Sequence, residues 1–370
     1  MDTHCIEPDI PYLRWAKVHR RARYELTNSG VPTLRPTDLD AALPVSLEVR
    51  GAYGDPDLIQ TIAELYCVPP EAIVPVPGTS SANFVAMAAT VKHGDCIMLE
   101  RPAYQPLQQV AQFLGLRVIT LSRLPTNNFM IDADDVDAGL ERGARAVVVT
   151  NLHNPSGQML STDSLGTLAA RCARVNATLI VDEVYLDAAH LAGHGQRWSA
   201  ASLADNVVTT SSLTKIYGLG GLRTGWLIAS APVVERAREI MDLLSVENAA
   251  PSTALALHAL SSLEILEDRY RQLHRTGQKV FRQWLASEPR VSAYPNLGTV
   301  FECLRLPGGV DSTRLCDLLS REYDTQVVDG RFFSLPGHIR VSTALTPDDL
   351  NEGLSRLSDA LTKANSTSGS

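Results

Sequence analysis

The sequence predicts an α/β fold in which a mostly parallel β-sheet is sandwiched by helices. Strand-like and helix-like segments alternate between Val76 and Ser230. The strand-like segments are short apolar runs, which are typical of strands covered on both faces. They lie at residues 96–99, 117–121, 146–150, 179–182, 207–210 and 225–229. A chain of 370 residues is long enough to hold this sheet and a second domain.

The intervening segments place their apolar residues at helical spacing. One such stripe consists of Leu165, Leu168, Ala169 and Cys172, and a second consists of Val234, Ala237, Met241 and Leu244. The second stripe follows Pro232, and proline is favoured in the first turn of a helix. Residues 252–287 contain no proline and repeat apolar residues with the same period. They predict one long helix that is broken or bent near Gly277.

Composition and charge exclude several classes of function. The net charge is −8 and no basic patch is present, which argues against nucleic acid as a partner. No apolar run approaches the roughly twenty residues that a membrane span needs. The N-terminus lacks the basic and apolar regions of a secretory signal. We therefore expect a cytoplasmic protein without a membrane or nucleic-acid partner.

Cysteine and histidine patterns give no sign of a metal site. The six cysteines include no Cys-x-x-Cys pair, which is typical of reduced thiols in a cytoplasm. His190 and His194 have the i, i+4 spacing of helical metal ligands, but no carboxylate motif lies between them. We interpret them as solvated loop residues and expect no metal.

Lys215 is the most informative residue of the chain because of its neighbours. It follows a strand-like segment, with Ser212 three residues before it, a glycine-rich stretch after it and Arg223 eight residues later. An amine that forms an imine needs a constrained position and a nearby group that binds the anion of its cofactor. The alternative is an ordinary surface lysine whose stem packs on the protein.

Two further strands end in polar residues. Asp182 closes the apolar run 177–182, at the end of the strand where open α/β sheets bind their ligands. It also suits the N-cap of a following helix. Asn154 begins an Asn-Pro-Ser-Gly turn after the strand at 146–150, and the same residues are ordinary turn formers.

A candidate anion site lies earlier in the chain. Gly78 precedes Thr79, Ser80 and Ser81 at the start of a predicted helix. Backbone N–H groups and hydroxyls at a helix start bind phosphate, although serine and threonine are also simply good caps there.

In this order, the motifs resemble those of the class I/II aminotransferases, which have fold type I and use pyridoxal 5′-phosphate (PLP). The matching patterns are Ser-x-x-Lys with Arg-x-Gly, Asp-Glu-x-Tyr, and Asn-Pro-x-Gly with Ser156 in place of the usual threonine. The resemblance implies a large PLP-binding domain at 46–275 and a smaller α+β domain built from both termini. The smaller domain would take part of the arm at 1–45 and residues 276–362, and 363–370 would be a disordered tail.

The resemblance also implies a role for each residue around PLP. Lys215 would carry the cofactor as a Schiff base, Asp182 would bond the pyridine nitrogen, and Tyr185 and Asn154 would bond the ring oxygen. Tyr104, in a Pro-x-Tyr pattern, would stack on the ring. The residues implied for the phosphate are Thr79, Ser80, Ser81, Ser212 and Arg223, together with Tyr53 reaching across a homodimer to the neighbouring active site.

The same resemblance implies residues for the substrate. Arg340, in an Arg-Val-Ser strand, would hold the α-carboxylate with Asn154 through a bidentate pair that lysine cannot reproduce; a structural surface arginine is the alternative. Gly30 would belong to a loop over the substrate. Arg331 lies in an Asp-Gly-Arg-Phe pattern that departs from the family's proline. We hypothesise that it faces the substrate side chain and favours an acidic group.

The reaction that these expectations favour is transfer of an amino group from an amino acid to a 2-oxo acid. The same cofactor site also serves lyases, decarboxylases and cyclases of arginine-derived amino acids, and the motifs do not separate them. A non-catalytic PLP-binding protein is a further alternative. It usually lacks the lysine or the aspartate, and here both Lys215 and Asp182 are present.

Overall fold

The computed structural model of the protein describes residues 10–35, 38 and 47–367. The strands are β1 Tyr24–Glu25, β2 Ile73–Val76, β3 Cys96–Arg101, β4 Arg117–Ser122, β5 Ala144–Thr150, β6 Thr178–Asp182, β7 Val207–Ser212, β8 Gly225–Ile228, β9 Ser292–Ala293, β10 Phe301–Arg305, β11 Thr325–Gln326, β12 Val328–Asp329 and β13 His338–Ser342. The helices are α1 Pro11–Val18, α2 Pro56–Tyr66, α3 Thr79–Thr90, α4 Gln105–Phe113, α5 Ala133–Glu141, α6 Thr162–Ala173, α7 Leu186–Leu191, α8 Ala231–Leu244, α9 Ala250–Leu260, α10 Leu263–Ser287, α11 Ser312–Glu322 and α12 Pro347–Thr367.

A seven-stranded sheet forms the centre of the molecule, in the order β2-β8-β7-β6-β5-β3-β4. Strands β3 to β7 run parallel, and β8 is antiparallel to both of its neighbours. The predicted mostly parallel sheet is therefore confirmed. The sequence pattern missed β2, an edge strand that contains Pro75; proline is tolerated at an edge because it cannot donate to the ladder.

Both faces of this sheet are covered by helices. On β5, Ala146 and Val148 pack into a cluster that contains residues of α3, α4 and α8. The alternating residues Val147 and Val149 pack into a second cluster with residues of α5 and α6. Burial on both faces explains why these strands appear in the sequence as continuous apolar runs.

A smaller unit combines the two ends of the chain. Its sheet has the order β12-β13-β10-β9, and α10, α11 and α12 supply much of the core beside it. The N-terminal strand β1 pairs in parallel with β11, with Tyr24 opposite Thr325. A smaller α+β unit built from both termini was expected, and this pairing shows it.

Two predictions about helices were wrong. The segment 252–287 breaks at Ser261 and Ser262, between α9 and α10, and not at Gly277. Gly277 lies inside α10, where a Cβ would be 2.2 Å from the carbonyl oxygen of Thr343, so the glycine permits close packing. Helix α12 continues to Thr367, so residues 363–367 of the expected disordered tail are helical, whereas 368–370 lie outside the described residues. Buried residues such as Leu361 anchor the preceding turns, and a formed helix adds further residues at low cost.

Within the described ranges, no helix is both long enough and apolar enough to cross a bilayer.

Candidate active site

The parallel strands bring three polar segments to one edge of the large sheet. Thr150 at the end of β5 is paired with Asp182 at the end of β6, and Asp182 is paired with Thr210 of β7. A cavity with about 700 Å³ of non-protein space opens at this edge. The predicted site residues that line it are Thr79, Ser80, Tyr104, Asn154, Asp182, Tyr185, Ser212, Lys215 and Arg223.

Asp182 is a buried carboxylate held by neutral donors. Its oxygens accept hydrogen bonds from the Asn83 side-chain amide at 2.7 Å and from the Val184 backbone at 3.0 Å. Asn83 is itself oriented by Thr210, whose hydroxyl donates to it at 2.6 Å. Burial raises the pKa of Asp182 to about 6, although these hydrogen bonds and the charge of Lys215 act in the opposite direction. A cationic N–H group entering the cavity would supply the charge that this carboxylate lacks.

Lys215 lies in the loop after β7, under a segment from the N-terminal part of the chain. Its Nζ donates a hydrogen bond to Ser29 Oγ at 3.0 Å, and its carbonyl oxygen accepts one from the Val31 backbone at 3.0 Å. A Cβ on Gly30 would lie 2.9 Å from that carbonyl oxygen. The loop therefore covers the lysine closely, and only glycine fits at position 30 without displacement of the backbone.

One end of the cavity forms a cradle for an anion. Thr79 Oγ1 donates to Ser212 Oγ at 2.7 Å, at the start of α3. Gly78 has φ +84°, and a Cβ there would lie 2.4 Å from the guanidinium of Arg223. Arg223 donates to the carbonyl oxygen of Pro77 at 3.0 Å and has no carboxylate within ion-pair distance among the described residues. Hydroxyls, a guanidinium and a helix N-terminus together favour a phosphate.

Tyr104 and Asn154 are joined by a buried histidine. The ring nitrogens of His153 lie 2.6 Å from Ser156 Oγ and 2.8 Å from the carbonyl oxygen of Pro102. Burial lowers the pKa of His153 well below its usual value, so the ring is neutral. Its Nε2–H donates to the Pro102 carbonyl, and its Nδ1 accepts from Ser156. This contact fixes the loop that carries Tyr104 against the loop that carries Asn154.

Arg340 is buried on β13 and faces only neutral acceptors. Its guanidinium donates to Asn154 Oδ1 at 2.8 Å, to the Tyr12 hydroxyl at 3.0 Å and to the Thr27 carbonyl at 3.1 Å. Its Nε has no partner among the described residues. A buried cation is costly unless an anion joins it. Arg340 is bonded to Asn154, which lines the cavity, so its uncompensated positive charge lies next to the site.

The other predicted residues do not line the cavity. The prediction that Arg331 faces the substrate is wrong. Its guanidinium is half-exposed and donates at 2.5 Å to Asp311, the N-cap of α11, and this bond holds the side chain at the surface. Ser81 Oγ instead donates to the carbonyl oxygen of Pro77 at 3.2 Å. Tyr53 is exposed, and the Arg238 guanidinium lies 5.1 Å from its ring centroid.

Sequence reasoning missed four residues of the site. Asn83 lies one helical turn after Thr79, a spacing that could have suggested it, and Ser29 is the neighbour of the predicted Gly30. Tyr12 and His153 carried no signal, since a tyrosine in a short amphipathic helix and a histidine before a turn are common.

The chemistry of the cavity fits PLP. It holds hydroxyls and a guanidinium for a phosphate at one end and a buried carboxylate for a ring nitrogen in the middle. An aromatic side chain, Tyr104, lies at the wall, and a partly buried amine, Lys215, lies within reach of the same space. These are the groups that a PLP site requires.

Comparison with solved structures places the fold among PLP-dependent enzymes. A PLP-dependent aminotransferase from Streptococcus suis has a TM-score of 0.88 at 22% identity, covering 96% of this chain and 98% of the other. A PLP-dependent cyclase, OrfR, has a TM-score of 0.80 at 22% identity, covering 96% and 97%. At this identity, the likeness concerns the fold.

Curated relatives extend over nearly the whole chain. The capreomycidine synthase of Streptomyces vinaceus is 27% identical, covering 96% of this chain and 94% of the relative. The arginine–pyruvate transaminase of Pseudomonas aeruginosa is also 27% identical, covering 94% and 93%. The family model for aminotransferase class I and II matches residues 44–357. The chain therefore belongs to the class I and II aminotransferases and is a PLP-dependent enzyme.

Proposed function

We propose that this enzyme transfers the amino group of an amino acid to a 2-oxo acid. The observation that carries the proposal is one cavity that is lined by the amine of Lys215 and the buried carboxylate of Asp182, with the cation of Arg340 bonded to Asn154 at its wall. When bound, PLP supplies an electron-withdrawing ring that acidifies the Cα–H bond of an amino acid attached to it. The steps below follow from the side chains of this chain.

The cofactor would be held at four points. The carboxylate of Asp182 would pair with the ring nitrogen and keep it protonated, because burial and neutral donors leave that carboxylate without a cation. Tyr104 would stack on one face of the ring. Tyr185 and Asn154 would bond the ring oxygen. The phosphate would be bonded by Thr79, Ser80, Ser212 and Arg223.

Lys215 would act as the base and acid of the reaction. Its Nζ would hold the cofactor before substrate binds and, once free, would remove the Cα proton of the amino acid and return a proton from the same side. Ser29 Oγ, 3.0 Å from Nζ, would hold the amine in position. Arg340 and the amide of Asn154 would fix the α-carboxylate and so orient the Cα–H bond.

A homodimer is part of the proposal, and the exposed surface around Tyr53 supports it. Tyr53 is 45% exposed, and exposed apolar side chains lie near Tyr53 or near its neighbour Arg238 in the sequence. These side chains are Val49, Leu243, Leu244 and Val246. Exposed apolar groups of this kind mark interaction surfaces. Tyr53 would then reach the phosphate of the neighbouring subunit.

A second candidate is cyclisation of an amino acid. The capreomycidine synthase and the PLP-dependent cyclase OrfR both match nearly the full chain, as does the arginine–pyruvate transaminase. This observation favours the second candidate. Both reactions begin with the same Cα proton, so the residues around Lys215 serve either. The side chain of the substrate decides which follows.

Product analysis separates the two. Purified enzyme is incubated with each of a panel of amino acids, with arginine first because one relative is named for it, in the presence and absence of pyruvate. Transamination produces alanine and a 2-oxo acid only when pyruvate is present. Consumption of the amino acid without pyruvate and without a 2-oxo acid product would contradict transamination and favour the cyclase. No reaction with any amino acid would contradict both.

A further inference from the structure

Tyr12 is placed beside the reaction cavity by the short helix α1. Its backbone N–H donates to the side chain of Gln105 at 2.9 Å. Its ring packs edge-on against Tyr104, with centroids 6.0 Å apart, and against Phe333 at 5.6 Å. The side chain is buried, so the phenol is fixed between the wall residue Tyr104 and the small unit.

The hydroxyl of Tyr12 faces two cations. It accepts a hydrogen bond from Arg340 Nη2 at 3.0 Å. Burial raises the pKa of the phenol, but the positive charges of Arg340 and Lys215 outweigh burial and leave the pKa below its usual value. The hydroxyl is therefore bonded to the group proposed for the carboxylate, and the charge of the group proposed for the proton transfer acts on it.

The proton of this hydroxyl has no acceptor among the described residues. The hydrogen bond with Arg340 uses the oxygen as acceptor, and Lys215 is also a donor. A buried O–H group without an acceptor is unfavourable. Beside it, Arg340 Nε is a second buried donor without a partner. Two unmet donors at one place define a position for an oxyanion.

We propose that Tyr12 is a further substrate-binding residue, whose hydroxyl donates to the α-carboxylate that Arg340 binds. This inference rests on the proposed function, because it takes the substrate to be an amino acid. It assigns to α1 a direct part in recognition, since this N-terminal helix supplies a further donor to the carboxylate.

The test compares a carboxylate with its neutral analogue. Propanoate and propanamide are titrated into the PLP-loaded enzyme, and dissociation constants are read from the change in visible absorbance. Tyr12→Phe keeps the ring and its packing. The dissociation constant for propanoate should rise about 10-fold, the effect of losing a hydrogen bond to a charged group, while that for propanamide stays unchanged. Trp15→Phe, a neighbour of Tyr12 on α1 without a bond to Arg340, is the matched control and should change neither.

Four outcomes decide the assignment. Equal propanoate affinity in the wild type and Tyr12→Phe would overturn it, as would an equal loss for propanoate and propanamide, because packing alone would then explain the effect. Arg340→Lys separates the two proposals. A preference for propanoate that depends on Arg340 but not on Tyr12 overturns the Tyr12 assignment alone. A wild-type enzyme that binds propanoate no better than propanamide overturns the carboxylate site and the proposed function with it.

Discussion

The two sides of the cavity are built in different ways. The cofactor side comes from neighbouring strand ends of one sheet, where β5, β6 and β7 deliver Asn154, Asp182 and Lys215. The substrate side is assembled from segments far apart in the chain, with Tyr12 and Arg340 separated by 328 positions. A sheet edge fixes the first set through regular register, whereas the second set depends on the packing of the small unit.

The two sides also carry opposite unmet charges. Asp182 is a buried anion held by neutral donors, and Arg340 is a buried cation held by neutral acceptors. A ligand that brings a cationic ring nitrogen to the first and a carboxylate to the second meets both needs. The difference indicates that each side is complementary to one part of the ligand, so substitutions on the two sides should have separable effects.

The largest effect is expected from Lys215→Ala, which removes the group common to both sides. Turnover should fall by roughly four orders of magnitude or more, since both the covalent attachment and the proton transfer are lost. Steady-state rates of the variant and of the exposed control Lys92→Ala measure this. Lys92→Ala should match the wild type, and a Lys215→Ala enzyme with normal turnover would refute the assignment.

Asp182→Asn tests the cofactor side alone. Loss of the carboxylate opposite the ring nitrogen should lower kcat about a thousandfold, the upper range for breaking a buried pair, and should shift the visible absorbance of the bound cofactor. KM should change much less than kcat. The neighbouring Glu183→Gln, whose side chain bonds Ser199 and Ala200 outside the cavity, is the control and should keep the wild-type spectrum. Equal spectra in all three proteins would contradict the contact.

Arg340→Lys tests the substrate side. Lysine keeps the positive charge but cannot form the bidentate hydrogen bonds of a guanidinium. The value of kcat/KM should therefore fall about 30- to 100-fold because KM rises, while the visible absorbance of the cofactor without substrate stays normal. Arg331→Lys provides the contrast, because that side chain is bonded to Asp311 on the surface. Steady-state kinetics of both variants should differ sharply. A similar rise in KM for Arg331→Lys would restore the rejected hypothesis for that residue.

Ser29→Ala probes where the two sides meet. Removing the hydroxyl that accepts from Lys215 Nζ should lower kcat about 5-fold, the usual value of one hydrogen bond, and move the alkaline limb of the pH–rate profile. The control is Ser261→Ala, whose hydroxyl bonds a backbone carbonyl on the surface. An unchanged pH profile in Ser29→Ala would show that the serine does not position the lysine.

The smallest expected effect concerns stability, on the cofactor side. Burial raises the pKa of Glu183 to about 8 from an ordinary 4.5, so the folded protein holds a proton that the unfolded chain releases. Stability therefore falls as pH rises between these values. Glu183→Gln removes this dependence and should raise Tm at pH 8 by roughly 2–6 °C relative to the wild type, with a smaller gain near pH 5. Thermal melts that show equal gains at both pH values would contradict it.

The sequence predicted the cofactor side more completely than the substrate side. Every predicted strand of the large sheet was found, because burial on both faces leaves an apolar run that sequence alone displays. Asp182 and Lys215 follow such runs, so their placement at one edge was predictable. The prediction for Arg331 failed because the sequence motif around it gives no information about Asp311, the capping carboxylate that holds it at the surface. Tyr12 escaped notice because the contacts that bring it to the site, with Arg340 and Tyr104, join residues far apart in the chain.

Helix interruptions show the same limit at a smaller scale. Glycine has a low helix propensity, so Gly277 was predicted to break or bend the helix. In the structure it lies within an intact helix, because close packing against Thr343 requires a glycine there. The actual break lies at Ser261 and Ser262, although residues of α9 and of the first turns of α10 pack into the same hydrophobic cluster. Tertiary contacts override local preference at such positions.

Borohydride fixation tests the central claim most directly. Enzyme loaded with PLP is reduced, digested and sequenced by mass spectrometry. The account predicts that the peptide containing Lys215 carries the reduced cofactor and that Asp182→Asn retains this label at the same lysine. A label on another lysine, or no label in a protein that binds PLP, would contradict it.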